Sequence, residues 1–311
     1  MVLIPLAANL NMVLVLLQVL VCVLFVAISM RDLLNGEGAG TLLSSQPFFD
    51  PQVSFPSLLA ILPLLCFSFL GFDAVTTLAE ETIEPEKTMP KAVMLITLLG
   101  GTLFVIVTYF AQLVQPNFQA FSSPDSAGME LFMQIGGNLL SAFFLAVVVL
   151  AAVASAVASG ASGARILYAM GREGVLPKGF FGYLSPRFRT PVWNIIVIAV
   201  VAMMANFLDM LTATALINFG ALLAFVFVNI AVIFHFYIRH QQRSGKGIIL
   251  YLLLPLVGAL FTGVFWMNLG ATALILGGCW FLVGLGYLLY LTKLFRQPPP
   301  SLHFEEAESF N

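Results

Sequence analysis

Phe67-Ser68-Phe69-Leu70-Gly71-Phe72-Asp73 puts a carboxylate and a helix-breaking glycine inside one apolar run, Phe55–Leu78. Asp73 is the only carboxylate in any of the chain's long apolar runs. At membrane depth such a group costs roughly 2.5–3.5 kcal/mol on insertion scales, so it persists where a cavity, water or a cation compensates it. Asp73 is therefore the first candidate for contact with a cation. Pro63 and Gly71 both disfavour a helix interior, by about 3 and 1 kcal/mol relative to Ala. A span interrupted there frees backbone N–H and C=O groups to bind small molecules and ions. The plainer alternative is a kinked packing helix whose Asp73 already sits near the interface. Phe67 and Phe69 read either as lipid-facing residues or as an aromatic face that attracts an organic cation.

Working outward, composition sets the class. With 60% hydrophobic residues, 9% charged residues and a mean hydropathy of +1.01, the chain cannot hide its apolar surface in a water-soluble globule. It reads as an all-α integral membrane protein. A hydrocarbon core about 30 Å thick needs roughly 20 apolar helical residues. Eight runs qualify: Asn11–Met30, Phe55–Leu78, Ala92–Val114, Gly137–Ala158, Pro191–Phe207, Thr212–Tyr237, Ile248–Met267 and Ala271–Leu294. Lys and Arg near span ends are retained on the cytoplasmic side. Threading the eight runs puts twelve of the 13 basic residues on one face and only Arg31 on the other, so both termini are expected in the cytoplasm. The net charge of -2 argues against a nucleic-acid partner.

Other chemistry is sparse. Cys22, Cys66 and Cys279 fall in apolar runs and read as small buried hydrophobes. His235 and His240, five apart, miss the i, i+4 spacing of a helical metal pair, so no metal site and no cofactor is expected. The first apolar run is too long for a signal-peptide core and lacks a basic leader, which makes it a span in its own right. Arg31–Ser54 and Gln115–Gly136 read as external loops, and Glu80–Lys91, with Pro85 and Pro90, as a cytoplasmic turn. The chain divides into a transmembrane region, 1–296, and a tail, 297–311, whose prolines and glutamates suit a mobile segment. In the fourth run, Ser155, Ser159 and Ser162 share one helical face. Close packing of small residues is the default account, with ion coordination as the alternative.

Three segments together resemble the amino acid–polyamine–organocation (APC) transporters. They are Phe67–Asp73, then Glu80-Glu81-Thr82 with Pro85-Glu86-Lys87-Thr88-Met89-Pro90-Lys91-Ala92, then Ala164-Arg165-Ile166-Leu167-Tyr168-Ala169-Met170-Gly171-Arg172-Glu173-Gly174-Val175-Leu176-Pro177 before Thr190-Pro191. Their wording is most similar to the bacterial putrescine importers, the low-affinity type in particular. The resemblance implies a LeuT-like inverted-repeat fold of twelve helices, of which this chain would carry the fifth to the twelfth, with 55–237 as the second repeat. It also implies that Phe67 gates the substrate, that Gly71 marks an unwound stretch, and that Asp73 recognises an amine or couples protons. Gln18 falls about where some proton-coupled relatives carry a lysine, and Gln18, Ser155 and Ser159 are candidates for ion coupling.

The expectation is a secondary transporter in a bacterial inner membrane, importing putrescine or a related polyamine on the proton-motive force. Its partners are that small molecule, protons and the bilayer. No nucleotide-binding loop of the G-x-x-x-x-G-K-[ST] type is present to supply another energy source. The alternatives are an amino-acid permease of the same family and a truncated remnant that inserts without transporting. A membrane-embedded enzyme finds no Ser–His pair or His/Asp cluster at matching depth.

Overall fold

A computed structural model of the chain describes residues 3–49, 53–124, 126–186 and 189–297. The tail beyond Gln297 lies outside the described residues. Among the described residues the secondary structure is helical throughout, with no strand. The α-helices are α1 (Leu3–Leu34), α2 (Phe55–Phe69), α3 (Pro85–Val114), α4 (Ala127–Arg172), α5 (Lys178–Phe181), α6 (Val192–Met204), α7 (Met210–Val232), α8 (Gly245–Ile248), α9 (Leu254–Met267) and α10 (Ala271–Leu291).

Among the described residues, seven helical segments are long and apolar enough to cross a membrane. The remaining expected run, Pro191–Phe207, is present as a shorter apolar helix, Val192–Phe207. There α6 runs for 13 residues and is extended by one 3-10 turn over Ala205–Phe207. With α6 rising about 1.5 Å per residue and the 3-10 turn about 2.0 Å per residue, the segment spans about 25 Å, slightly under a hydrocarbon core of about 30 Å. Its limits are set at both ends. Pro191 occupies the N-cap, and Asp209 begins the next helix by accepting the Thr212 N–H at 2.9 Å, leaving no room for another turn.

Two other boundaries move. α3 begins at Pro85, so the expected turn Glu80–Lys91 shrinks: Glu84 is its N-cap at φ 49, Pro85 sits in the first turn and Pro90 lies inside the helix. Proline is tolerated near a helix start because the first N–H groups have no intrahelical acceptor. The 46 residues of α4 reach well beyond Gly137–Ala158 and are two helical stretches that meet at a kink at Gly137, whose φ 64 and ψ -161 are not helical.

The chain forms two compact units. In the first, α1, α3 and the leading part of α4 meet in a core of Val21, Phe25, Val114, Phe132, Ile135, Leu140 and Val147. Phe132 stacks on Phe144 with centroids 4.1 Å apart and contacts Phe25 at 5.0 Å. The loop after α1 is tied to the end of α3: the Ala39 N–H donates to the Leu113 carbonyl at 2.9 Å, and the Tyr109 hydroxyl donates to the Leu42 carbonyl at 3.1 Å.

The second unit holds α2 with the turn to Asp73, and the chain from Gly163 onward. α7 packs against α2, α9 and α10. Phe219, Leu222, Leu269 and Ala273 form its buried cluster, with Cys66 and Trp266 against it. Asn194 on α6 is fully buried and donates from Nδ2 to the Phe181 carbonyl at 2.9 Å, anchoring α6 to α5.

Candidate functional site at an interrupted helix

α2 starts at a serine cap, Ser54 accepting the Ser57 N–H at 3.3 Å, and ends at Phe69 after 15 residues. Leu70 turns the backbone to an extended conformation (φ -62, ψ 141) while its N–H closes the last turn on the Phe67 carbonyl. Gly71 follows at φ +108. No atom lies within 4 Å of where a Cβ would stand there, so backbone conformation, not space, calls for glycine. Asp73 closes the turn, its Oδ1 accepting the Gly71 N–H at 3.3 Å. A 3-10 helix then resumes over Ala74–Glu81. Helical winding is therefore interrupted from Leu70 to Asp73.

The carboxylate of Asp73 is exposed, and Phe67 is half-buried on the last turn of α2. Phe69, at 38% exposure, ends the helix. Phe72, inside the interruption, packs on Phe225 of α7 with centroids 5.4 Å apart. Phe67, Phe69, Gly71 and Asp73 thus share one short stretch of the second unit, which can offer an anionic group, aromatic faces and unwound backbone together. Gln18 lies half-buried on α1, and Ser155 and Ser159 are exposed on α4, in the part of that helix belonging to the first unit. The Ser159 hydroxyl donates to the Ala156 carbonyl of its own helix at 3.2 Å.

Two features lie outside the sequence reading. A cavity of about 220 Å³ sits in the second unit between α2, α7 and the α9–α10 turn, lined by Pro63, Thr212, Thr214, Asn268 and Thr272 among others. None of Phe67, Phe69, Gly71 or Asp73 lines it, and its walls carry no charged side chain. The second feature is Asn218, fully buried in the middle of α7. Its Nδ2 donates across to the Pro63 carbonyl of α2 at 2.5 Å, while its Oδ1 has no partner among the described residues. The carbonyl that Pro63 deprives of its helical donor is that of Leu59, four residues earlier, so the bond to the Pro63 carbonyl is an additional tie between α7 and α2. An amide within an apolar run was the available signal, since such a group must find a partner.

The reason given for discounting His235 and His240 also needs correction. In an α-helix, residues five apart point about 140° away from each other. Here Ile233–Arg239 winds as a π-helix, the His240 N–H bonds to the His235 carbonyl at 3.1 Å, and the two rings come to 4.6 Å. Among the described residues no cluster of three or more His, Cys, Asp or Glu could hold a metal ion.

Among the described residues, seven apolar helical segments of bilayer length, one of them interrupted beside a carboxylate, define a multi-pass membrane protein. The chain belongs to the amino acid permease family, whose profile matches residues 1–287. The low-affinity putrescine importer PlaP of Escherichia coli is 42% identical over 294 residues, covering 94% of this chain and 65% of the importer. The probable low-affinity putrescine importer of Klebsiella pneumoniae is 41% identical over 190 residues, 61% of this chain and 96% of that protein. The branched-chain amino acid permease BcaP of Bacillus subtilis is 28% identical over 293 residues, 91% of this chain and 59% of the permease. The chain therefore spans just under two thirds of the length of the first of these relatives. The family and these relatives are permeases and importers, not enzymes.

Proposed function

We propose that the chain serves secondary active import of putrescine or a related polyamine, driven by the proton-motive force, through a site at the Leu70–Asp73 interruption. The observation that carries this reading is the 42% identity, over 94% of the chain, to a putrescine importer. In this reading the Asp73 carboxylate pairs with a substrate ammonium, and Phe67 and Phe69 attract it through their ring faces. The open backbone around Gly71 supplies carbonyls for the remaining N–H donors. Gln18, Ser155 and Ser159 are proposed for ion coupling, and 55–237 for the second inverted repeat. The protein is proposed to lie in a bacterial inner membrane with both termini cytoplasmic, supported by the basic residues crowding one face of the threaded chain.

A second reading, an amino-acid permease, is supported by the 28% identity to BcaP over 91% of the chain. An amino acid adds a carboxylate, which an exposed aspartate repels, so the interruption favours a diamine. The test is uptake of labelled putrescine by cells lacking their own importers, with unlabelled putrescine or branched-chain amino acids as competitors. Residues 1–311 are assayed alone and within the longest reading frame that carries them, with the protein level in the membrane fraction measured alongside. Saturable, uncoupler-sensitive uptake blocked by putrescine supports the first reading. Block by amino acids alone supports the second, and uptake by neither chain overturns both.

A further inference from the structure

The hairpin that joins α7 to α9 lies at one end of two spans, Met210–Arg239 and Gly245–Met267. Its winding departs from α-helix on both sides, because Ile233–Arg239 and Ile249–Leu253 are both π-helical. Single π-turns are rare and concentrate at functional sites. The two turns pack on each other, with Phe236 stacked on Tyr251 at 4.8 Å. The connecting loop is tight. The Gln242 N–H donates to the Phe236 carbonyl at 3.1 Å, and the Arg243 N–H to the Gln241 carbonyl at 2.7 Å. Gly247 is buried where an added methyl would overlap the Gln242 carbonyl. Such a loop presents its side chains from a fixed backbone.

Those side chains carry one sign of charge. No Asp or Glu occurs anywhere between Asp209 and Glu305. Among the described residues, Arg239, Arg243 and Lys246 form no ion pair. All three are exposed, as are His235 and His240. The Arg243 guanidinium lies 5.3 Å from the centroid of the Tyr237 ring, which orients it. The π-turn sets the two imidazoles beside this cluster, with rings 4.6 Å apart. Like charges gathered without a counter-charge repel one another, and at the end of two membrane spans the nearest fixed anions are lipid phosphates.

We propose that this hairpin binds the headgroup phosphate of an anionic phospholipid, with Arg239, Arg243 and Lys246 supplying the charge and His235 and His240 donating ring N–H groups. Tyr237 and Tyr251 are the amphipathic rings that suit this depth. The inference does not depend on which substrate the protein carries.

The test is native mass spectrometry of the purified full chain, titrated with equal amounts of phosphatidylglycerol and phosphatidylcholine of matched acyl chains. The protein should retain phosphatidylglycerol preferentially. Each Lys or Arg near an anionic surface contributes about a factor of five, so R239Q/R243Q/K246Q should lose roughly a hundredfold of that preference. R239K/R243K keeps the charge and should keep most of the selectivity. K293Q/R296Q, which removes basic residues outside the hairpin, should leave it unchanged. If the triple variant does not survive purification, R239Q and R243Q singly should each lower the preference several-fold. Equal retention of the two lipids by the wild type, or undiminished selectivity without the three charges, overturns the proposal. Displacement of the bound lipid by inorganic phosphate alone would make this a site for free anions and overturn it as well.

Discussion

Asn218 offers the sharpest test of how α2 is held. Its Nδ2 donates to the Pro63 carbonyl at 2.5 Å with the residue fully buried, while its Oδ1 has no partner among the described residues. Two terms therefore oppose each other at one side chain. The hydrogen bond contributes about 0.5–1.5 kcal/mol net, and the orphaned acceptor costs about 1–3 kcal/mol. Asn218→Leu removes both at similar volume and should leave stability within about 1 kcal/mol of wild type, or slightly raise it. Asn218→Ala also removes both but leaves a void, and should cost about 1–2 kcal/mol. Asn218→Asp replaces the donor with a second acceptor facing the Pro63 carbonyl and buries a charge without a partner, a change worth about 3–5 kcal/mol. The predicted order of damage is Asp, then Ala, then Leu. Thermal unfolding of the purified variants in one detergent, followed by the monomer peak remaining after heating, reads this order directly. If the Asp variant matches wild type, or the Leu variant is as damaged as the Asp variant, the bond to Pro63 is not what joins these helices.

Asp73→Asn keeps the oxygen that accepts the Gly71 N–H at 3.3 Å and removes the charge. An ammonium about 4 Å away, at an effective dielectric between surface and bulk water, loses about 1–4 kcal/mol. Diamine uptake should therefore fall at least fivefold with expression unchanged, and undiminished uptake would return Asp73 to a packing role. Gly71→Ala meets no atom within 4 Å, so its cost is the strain of an alanine at φ +108, about 1–3 kcal/mol. Gly263→Ala, in the open interior of α9, should instead be neutral or stabilising by up to about 1 kcal/mol; equal effects on melting temperature would refute the strain argument. At the start of α7, the Thr212 hydroxyl and backbone N–H hold the Asp209 carboxyl below its ordinary range. A lowered native pKa adds stability above the unfolded value and loses it as pH falls through the native one. The melting-temperature gap between wild type and Asp209→Ala should accordingly be full at neutral pH and close under strong acid; a gap that persists there would assign the effect to packing. Single cysteines in the 165–189 and 239–246 segments should resist an impermeant thiol reagent in intact cells, and ready labelling of both would reverse the proposed orientation.

Membrane-spanning helices are legible in a sequence because their cause is local. Apolar length decides insertion, and a proline or glycine acts on its own turn. Thus α7 and α10 follow their apolar runs closely, α1, α3 and α9 overlap theirs with shifted ends, and Gly71 stands where α2 has given way. What the sequence could not determine depends on partners far along the chain or on how the backbone winds. That the end of the Pro191–Phe207 run, Ala205–Phe207, winds as a 3-10 turn and not as α-helix is a feature of winding that hydropathy does not register. The encounter of His235 with His240 required π winding, in which an i→i+5 bond takes one extra residue into the turn and brings residues five apart onto one face. The bond from Asn218 to Pro63 joins residues 155 positions apart, and only packing of α7 on α2 could reveal which buried carbonyl that amide would find. Hydropathy is a sum over neighbours in sequence, whereas hydrogen-bond satisfaction in a buried environment is settled by neighbours in space.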